Sequence, residues 1–436
     1  MSTDPWRLTP RALLAAALFV HLVLPAISAL CATTDEDIAT ATALFASGHL
    51  DEAEALVTTL RQTEPPALQV LFLSGAIALA RGKYEDAAAE FRRMLVRDPT
   101  LLRPRLELAR ALYLAGDYQT ARYHFEQVLS APLPETVRDN VLAYLTLIRE
   151  RVPSLVLSFD LILDSNPKQA TSADFVEIGG RLFRVTDSSQ AHPGQGTLIT
   201  AYGKLPLPSD PSWFATGYLE LFDFSGRSLD SSYAQVLAGK HFNWGAHGLE
   251  VQVGGHYAGF QGSDLYTGLN WRVSDFVRLY PNVSLTVGVD ARDLEYRQFG
   301  YLSGWQYVAF TELYSAFTAT QSIRGGISLI RDDAAETPYA FQGPAAHLRY
   351  VQEWSGGWIG ALFVRYSQLR FNAPDPFFGV TRADTELRYE VSVTSRRLQY
   401  RGFAPRITLG WMEHRSNIPI YAFDRGYVRL GVTKEF

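Results

Sequence analysis

Histidine is the side chain most often recruited for metal binding and for proton transfer near neutral pH. Beyond the first residues of the chain the histidines are His49, His124, His192, His241, His247, His256, His347 and His414. None lies in an HExxH zinc motif, and no GxSxG nucleophile elbow occurs. His241 and His247 are close neighbours, but Asn243-Trp244-Gly245-Ala246 between them has the composition of a turn, so no metal site is expected there. Gly325-Gly326 and Gly356-Gly357 lack the following helix that a phosphate loop requires. Asn282-Val283-Ser284 fits a glycosylation acceptor, but it opens an alternating run and reads as a chance match. One cysteine, Cys31, excludes a disulfide framework and a Cys-based zinc cluster. The sequence therefore assigns no catalytic, metal or cofactor-binding residue, and the expectation is a protein that is not an enzyme and takes no cofactor.

Binding chemistry is better represented. Gln69, Phe72, Arg103, Leu106, Arg110 and Tyr113 combine amide, aromatic, apolar and cationic groups at helical spacing, a set suited to an extended peptide or a partner's loop. The same residues could pack between helices or against a second domain. What would hold them is a repeat of 34 residues. Gly48, Gly82 and Gly116 keep that spacing, as do Ala53, Ala87 and Ala121, and Leu50, Tyr84 and Tyr118. Pro65 and Pro99 fall in phase, and Phe91 and Phe125 match with Val57 in the first copy. This is the tetratricopeptide (TPR) pattern. Gly turns the chain between paired helices, Ala lets them approach, the aromatics fill gaps between repeats, and Pro ends the second helix. Three repeats are expected from about Thr34 to Glu135, with Val137 to Arg149 as an amphipathic cap. The first helices of the repeats would line the groove.

After Ser154 the pattern changes from helical to alternating. In Leu249 to Tyr257, Leu249, Val251 and Val253 share one face while Glu250, Gln252 and Gly254 share the other. About fourteen such segments follow one another, at roughly 20 residues per strand plus loop, as in an outer-membrane barrel with strands of about 10 residues. In the last segment Val428, Leu430 and Val432 share a face with the terminal Phe436, and Tyr427, Arg429, Gly431, Thr433 and Glu435 lie opposite. The stretch Asn166 to Gln195 is long and polar and reads either as a surface loop or as a segment folded into the lumen. A soluble β-sandwich also alternates, but only closure satisfies every backbone group in lipid. The expected fold is therefore multidomain: an N-terminal all-α TPR solenoid over 33–152, then a transmembrane antiparallel β-barrel of about 14 strands over 153–436.

Composition agrees. A mean hydropathy of −0.04 excludes a polytopic helical membrane protein. Yet seven of eight Trp and 17 of 22 Tyr lie beyond Pro153, which suits two interfacial girdles. A net charge of −5 gives no reason to expect nucleic acid. Residues 1–32 read as a secretory signal peptide: Arg7 and Arg11 precede the apolar Ala12 to Val20, and small residues after Pro25 offer cleavage after Ser28, Ala29 or Ala32. Retention as an anchor and acylation at Cys31 are the alternatives, the latter disfavoured by Leu30 directly before the cysteine.

The combination resembles the surface lipoprotein assembly modulator (Slam) family. The resemblance is densest in Arg105-Leu106-Glu107-Leu108-Ala109-Arg110-Ala111-Leu112-Tyr113, then Gly116-Asp117-Tyr118, Ala121, Phe125 and Leu133-Pro134. Asn417-Ile418-Pro419-Ile420-Tyr421, Arg425 and the closing strand add to it. It implies an outer-membrane translocator with its TPR domain in the periplasm, delivering a client protein, often a surface lipoprotein, to the cell surface. Outer-membrane lipid and the general barrel-assembly machinery would be further partners. A polysaccharide exporter and a passive TPR-anchored channel remain open.

Overall fold

The computed structural model describes residues 32–62, 65–178, 180–225, 229–400 and 403–434. The signal-peptide reading of 1–32 falls outside these residues save for Ala32, as do Glu435 and Phe436 of the closing strand. Among the described residues seven helices precede the first barrel strand: α1 (Ala32–Ala46), α2 (Leu50–Leu60), α3 (Leu68–Ala80), α4 (Tyr84–Arg97), α5 (Leu102–Leu114), α6 (Tyr118–Val128) and α7 (Glu135–Arg151). Helices α1 to α5 form one compact unit, while α6 and α7 belong with the barrel.

In the first unit the repeat chemistry is visible residue by residue. Gly48, Gly82 and Gly116 have φ of 84°, 74° and 85°, the left-handed conformation that ends a helix without a Cβ penalty. Ala41, Ala53, Val57, Val70 and Ile77 form a buried core between α1, α2 and α3. The Phe91 ring is fully buried and lies over Gly75, where a Cβ would stand 2.8 Å from it. Phe72 meets the same ring edge-on at 5.7 Å.

The second unit is a closed antiparallel barrel of 14 strands. They are β1 (Ser154–Asp164), β4 (Gly194–Leu207), β5 (Asp210–Phe224), β6 (Ser231–Trp244), β7 (His247–Phe260), β8 (Ser263–Tyr280) and β9 (Val283–Tyr296). The ring continues through β10 (Gly304–Thr318), β11 (Gln321–Ala334), β12 (Phe341–Trp354), β13 (Trp358–Pro374), β14 (Thr381–Ser395), β15 (Ala404–Ser416) and β16 (Phe423–Thr433), which pairs back onto β1. A separate hairpin, β2 (Phe175–Ile178) with β3 (Arg181–Arg184), stands outside the ring.

Alternation sorts the side chains as a membrane barrel requires. Leu161, Ile327 and Leu329 are 61%, 64% and 66% exposed on the outer wall, whereas Asp160 and Asn270 on the inner wall are 4% and 0% exposed. The closing strand follows its pattern, with Leu430 and Val432 outward and Tyr427 and Thr433 buried inward. The strands run from 11 to 18 residues, longer than expected, because alternation continues into segments whose Gly and polar content suggested loops. The residues between strands are correspondingly few at both mouths. The exception is 165–193, where the expected polar stretch, up to its last two residues Gly194 and Gln195 that open β4, leaves the ring and forms the β2–β3 hairpin, exposing Phe175, Leu182 and Phe183.

Candidate functional site

The inner wall of β14, β15, β16 and β1 carries a dense ladder of charges where the ring closes. Asp160 of β1, Gly431 of β16 and Arg406 of β15 are in register with one another. Gly431 has no side chain to intervene, so Arg406 reaches across β16 to Ser158 at 2.8 Å and Asp160 at 3.4 Å. A Cβ on Gly431 would stand 2.1 Å from Asp160 Oδ1. The arrangement repeats one step away. Tyr427 of β16, Gly410 of β15 and Glu390 of β14 are in register, and the Tyr427 hydroxyl donates across Gly410 to Glu390. Glu390 is also bound by Arg388, and by Arg429 at 2.7 Å. Arg425 binds Asp164 at 2.6 Å, and Arg382 and His414 converge on Asp384 at 2.6 and 3.2 Å. Charges within a membrane barrel belong on the lumen side and paired, and here nearly every cation of the seam wall has a carboxylate beside it.

The lumen's second feature is helical. One mouth carries the chain ends of the barrel and the turns after β4, β6, β8, β10, β12 and β14; helices α6 and α7 lie against that mouth. Helix α6 touches both β1 and β10. Counted either way round the ring of fourteen, β10 is the seventh strand from β1, so α6 bridges diametrically opposed walls. Tyr123 of α6 donates its hydroxyl to Glu353 of β12. Arg396, in the turn after β14, binds Glu353 at 3.0 Å and lies 5.1 Å over the Tyr123 ring. Helix α7 touches β5, and its Arg149 guanidinium lies 4.6 Å over the Phe276 ring of β8. A 14-strand barrel is about 28 Å across its backbone, from a strand spacing of ~4.8 Å and a tilt of ~40°. The 11 residues of α6 span about 16 Å before side chains are added, so the hairpin obstructs most of the opening. The segment expected to cap the repeats packs on α6, with Tyr144 stacked on Phe125 at 4.9 Å, and also touches the barrel at β5.

The candidate groove residues all lie in the first unit. Gln69 and Arg103 are exposed on the first turns of α3 and α5, and Phe72, Leu106, Arg110 and Tyr113 are half-buried on the same two helices, which touch each other. Phe72 is largely spent on packing against Phe91. Arg103 and Arg110 flank the buried Glu107, at 2.7 and 3.9 Å. The groove face is therefore an Arg–Glu–Arg cluster rather than two bare cations. Glu107 went unread as a member, although the i, i+4 spacing from Arg103 was its signal.

His241 and His247 do not meet. They fall on opposite faces of the β6–β7 hairpin: His241 is buried on the inner wall beside Phe214, and His247 binds Asp275 at 2.6 Å. Gly245 has φ of 58° and turns the chain with Ala246, while Asn243 and Trp244, expected in the turn, are paired as the end of β6. Among the described residues no group of three His, Cys, Asp or Glu side chains is placed to hold a metal.

The opposite mouth is tied by its loops. Asn166 donates to the Asp424 carbonyl at 3.1 Å and Thr171 to the Pro419 carbonyl at 2.8 Å, which pins the base of the 165–193 excursion to the β15–β16 connection. Tyr421 in that connection donates to Asp375 at 2.9 Å, under the Arg382 guanidinium 3.7 Å from its ring. Burial, and then the bond to Asp375, push the Tyr421 phenol up to about 12.

Comparison with known proteins accords with this architecture. Residues 245–436 match the family described as surface lipoprotein assembly modifier, and residues 38–101 match a tetratricopeptide repeat family. Along most of its length the chain is similar to Surface lipoprotein assembly modifier 1 of Neisseria meningitidis, 23% identical over 86% of this chain and 78% of that one. It is 22% identical to Surface lipoprotein assembly modifier of Pasteurella multocida, over 88% of this chain and 79% of that one. Hemophilin secretion modulator of Acinetobacter baumannii is 20% identical, over 84% and 78%. Among solved structures, the outer membrane channel DcaP of Acinetobacter baumannii aligns over 65% of this chain and 97% of its own, at 8% identity and a TM-score of 0.38.

Proposed function

We propose that this chain, a relative of the surface lipoprotein assembly modifiers, is an outer-membrane translocator that delivers proteins, surface lipoproteins among them, from the periplasm to the cell surface. Its barrel supplies the passage and its N-terminal helices receive the client. The observation that carries the reading is α6 lying from β1 to β10 across the mouth that a periplasmic client would enter. A passive pore has no use for a stopper held by a tyrosine hydrogen-bonded to an ion-paired glutamate, whereas a translocator needs one to keep the membrane sealed between clients.

The groove face of α3 and α5 suits an extended, incompletely folded client, because Arg103, Glu107 and Arg110 offer both signs of charge to a peptide backbone and its side chains. The seam wall suits passage. Its charges are paired with one another, so a moving polypeptide meets a polar surface with few strong fixed sites on which to stall. The client's folding outside would make transport directional.

The test is to express the chain with a candidate lipoprotein in a Gram-negative host that lacks such a system, and to label the cell surface. Surface-exposed client should appear only when both are present. Equal labelling with and without this protein overturns the reading for that client, and export of polysaccharide in its place would assign the chain to the other class.

A further inference from the structure

The lipid-facing wall carries a groove of about 620 Å³ between β9 and β13, toward the mouth away from α6 and α7. It exists because β12 breaks its pairing there. Residues pair with β13 at Gln342↔Arg370 and again at Ala345↔Ser367, and Gly343 and Pro344 between them have no ladder partner on that side. Proline has no N–H to give to a ladder. The floor is apolar, formed by Val289 of β9 and Leu329 of β11. Its outer end is polar, lined by Arg331, Arg370, Gln342 and Gln368, all exposed.

Two arginines on the outer wall of a membrane barrel need a reason, since a cation facing hydrocarbon is costly. Their level supplies one. Arg331 stands three residues from the end of β11 and Arg370 four residues from the end of β13, both at the outer rim, where phosphates and not acyl chains surround the wall. Arg331 binds Asp333 through Nε at 2.8 Å, which fixes its guanidinium and leaves the terminal N–H groups for another acceptor. Among the described residues Arg370 has no carboxylate within ion-pair distance, and the amides of Gln342 and Gln368 share the groove with it.

We infer that this groove binds a phosphate-bearing lipid of the outer leaflet, with its phosphate on Arg370 and Arg331 and an acyl chain along Leu329 and Val289. Guanidinium is the side chain best matched to phosphate. The acyl anchor of a client would fill the apolar floor but has no phosphate for the arginines. The site is independent of the translocation reading and stands if that reading fails.

The test is native mass spectrometry of the full chain, extracted in mild detergent, delipidated, and titrated with lipid A or with its dephosphorylated form. Loss of charge-assisted phosphate bonds should cut lipid A retention by about 10-fold in the variant Arg331→Gln with Arg370→Gln. The inner-wall variant Arg349→Gln should retain lipid A as the native chain does. The native chain should retain dephosphorylated lipid A about 10-fold less than lipid A, an outcome that needs no mutant to fold. Equal retention by native and double-variant barrels, or of the phosphorylated and dephosphorylated lipids by the native chain, overturns the assignment.

Discussion

Replacing Gly431 by Ala tests whether the ring is closed by side chains that meet across a bare strand position. The new Cβ would stand 2.1 Å from Asp160 Oδ1 and 2.4 Å from the Phe159 carbonyl oxygen. Both are far inside van der Waals contact, and one is backbone, so Asp160 must swing away from Arg406. The Arg406 and Asp160 side chains are 16% and 2% exposed, so this splits a buried pair. Splitting such a pair costs about 3–5 kcal/mol, and the lower end, ~3 kcal/mol, applies because Arg406 keeps its bond to Ser158. Gly217, with nothing within 4 Å of its would-be Cβ, is the control and should change stability by under ~0.5 kcal/mol. Denaturant unfolding in lipid vesicles, followed by tryptophan fluorescence, gives both numbers. In a background carrying Asp160→Ala and Arg406→Gln the part of the Gly431→Ala cost that comes from splitting the pair should vanish, leaving only the contact with the Phe159 carbonyl oxygen. A Gly431→Ala barrel as stable as the native one, or an equal loss at Gly217, would refute the closing role of the ladder.

Three further outcomes are expected. Glu353→Gln leaves Arg396 beside a neutral amide and weakens the seat of Tyr123 by about 2 kcal/mol, so the mouth should open roughly 30-fold more often in planar-bilayer recordings; an unchanged record counts against the stopper. Arg103→Glu together with Arg110→Glu surrounds Glu107 with like charge and should abolish co-purification of a client while the barrel's heat-modifiable band is kept; undiminished co-purification removes this face from client binding. At the outer mouth, the Tyr421 phenol is raised in the folded state, so folding holds a proton that the unfolded chain releases between about pH 10 and 12. The stability it contributes is present below pH 10 and fades as pH rises to about 12. Tyr421→Phe should lose about 1 kcal/mol at pH 8 and catch up with the native chain over that window; a constant gap across it would mean that the phenol titrates elsewhere.

The repeats were legible because their chemistry is local. Each Gly, Ala and aromatic acts within one turn or one helix pair, so a 34-residue spacing carries the whole instruction. The alternation of the barrel wall was legible for the same reason, since inward Asp160 and outward Leu161 are set by neighbours in the chain. What escaped was contact between distant places. Tyr123 and Glu353 are 230 residues apart in sequence, and nothing near either one announces the other. Arg406 meets Asp160 across Gly431 only once the register of three strands is known, and a slip of one residue would send each side chain to the opposite wall. Residues 137–149 do cover the last repeat helix, with Tyr144 stacked on Phe125 at 4.9 Å, and their additional contact with the barrel is what an amphipathic pattern cannot state. The Phe175 to Arg184 hairpin was missed because two four-residue strands are too short for alternation to show.

On the proposed function a client enters the barrel only when the α6–α7 hairpin leaves the mouth. This is tested by holding the hairpin in place: Tyr123→Cys and Glu353→Cys, in a chain carrying Cys31→Ser, joined by a short reducible thiol crosslinker. Surface exposure of a co-expressed client lipoprotein is then measured before and after reduction. The locked protein should leave surface labelling at the level of cells without it, and reduction should restore it. Full surface labelling of newly made client while the crosslink is intact would contradict it.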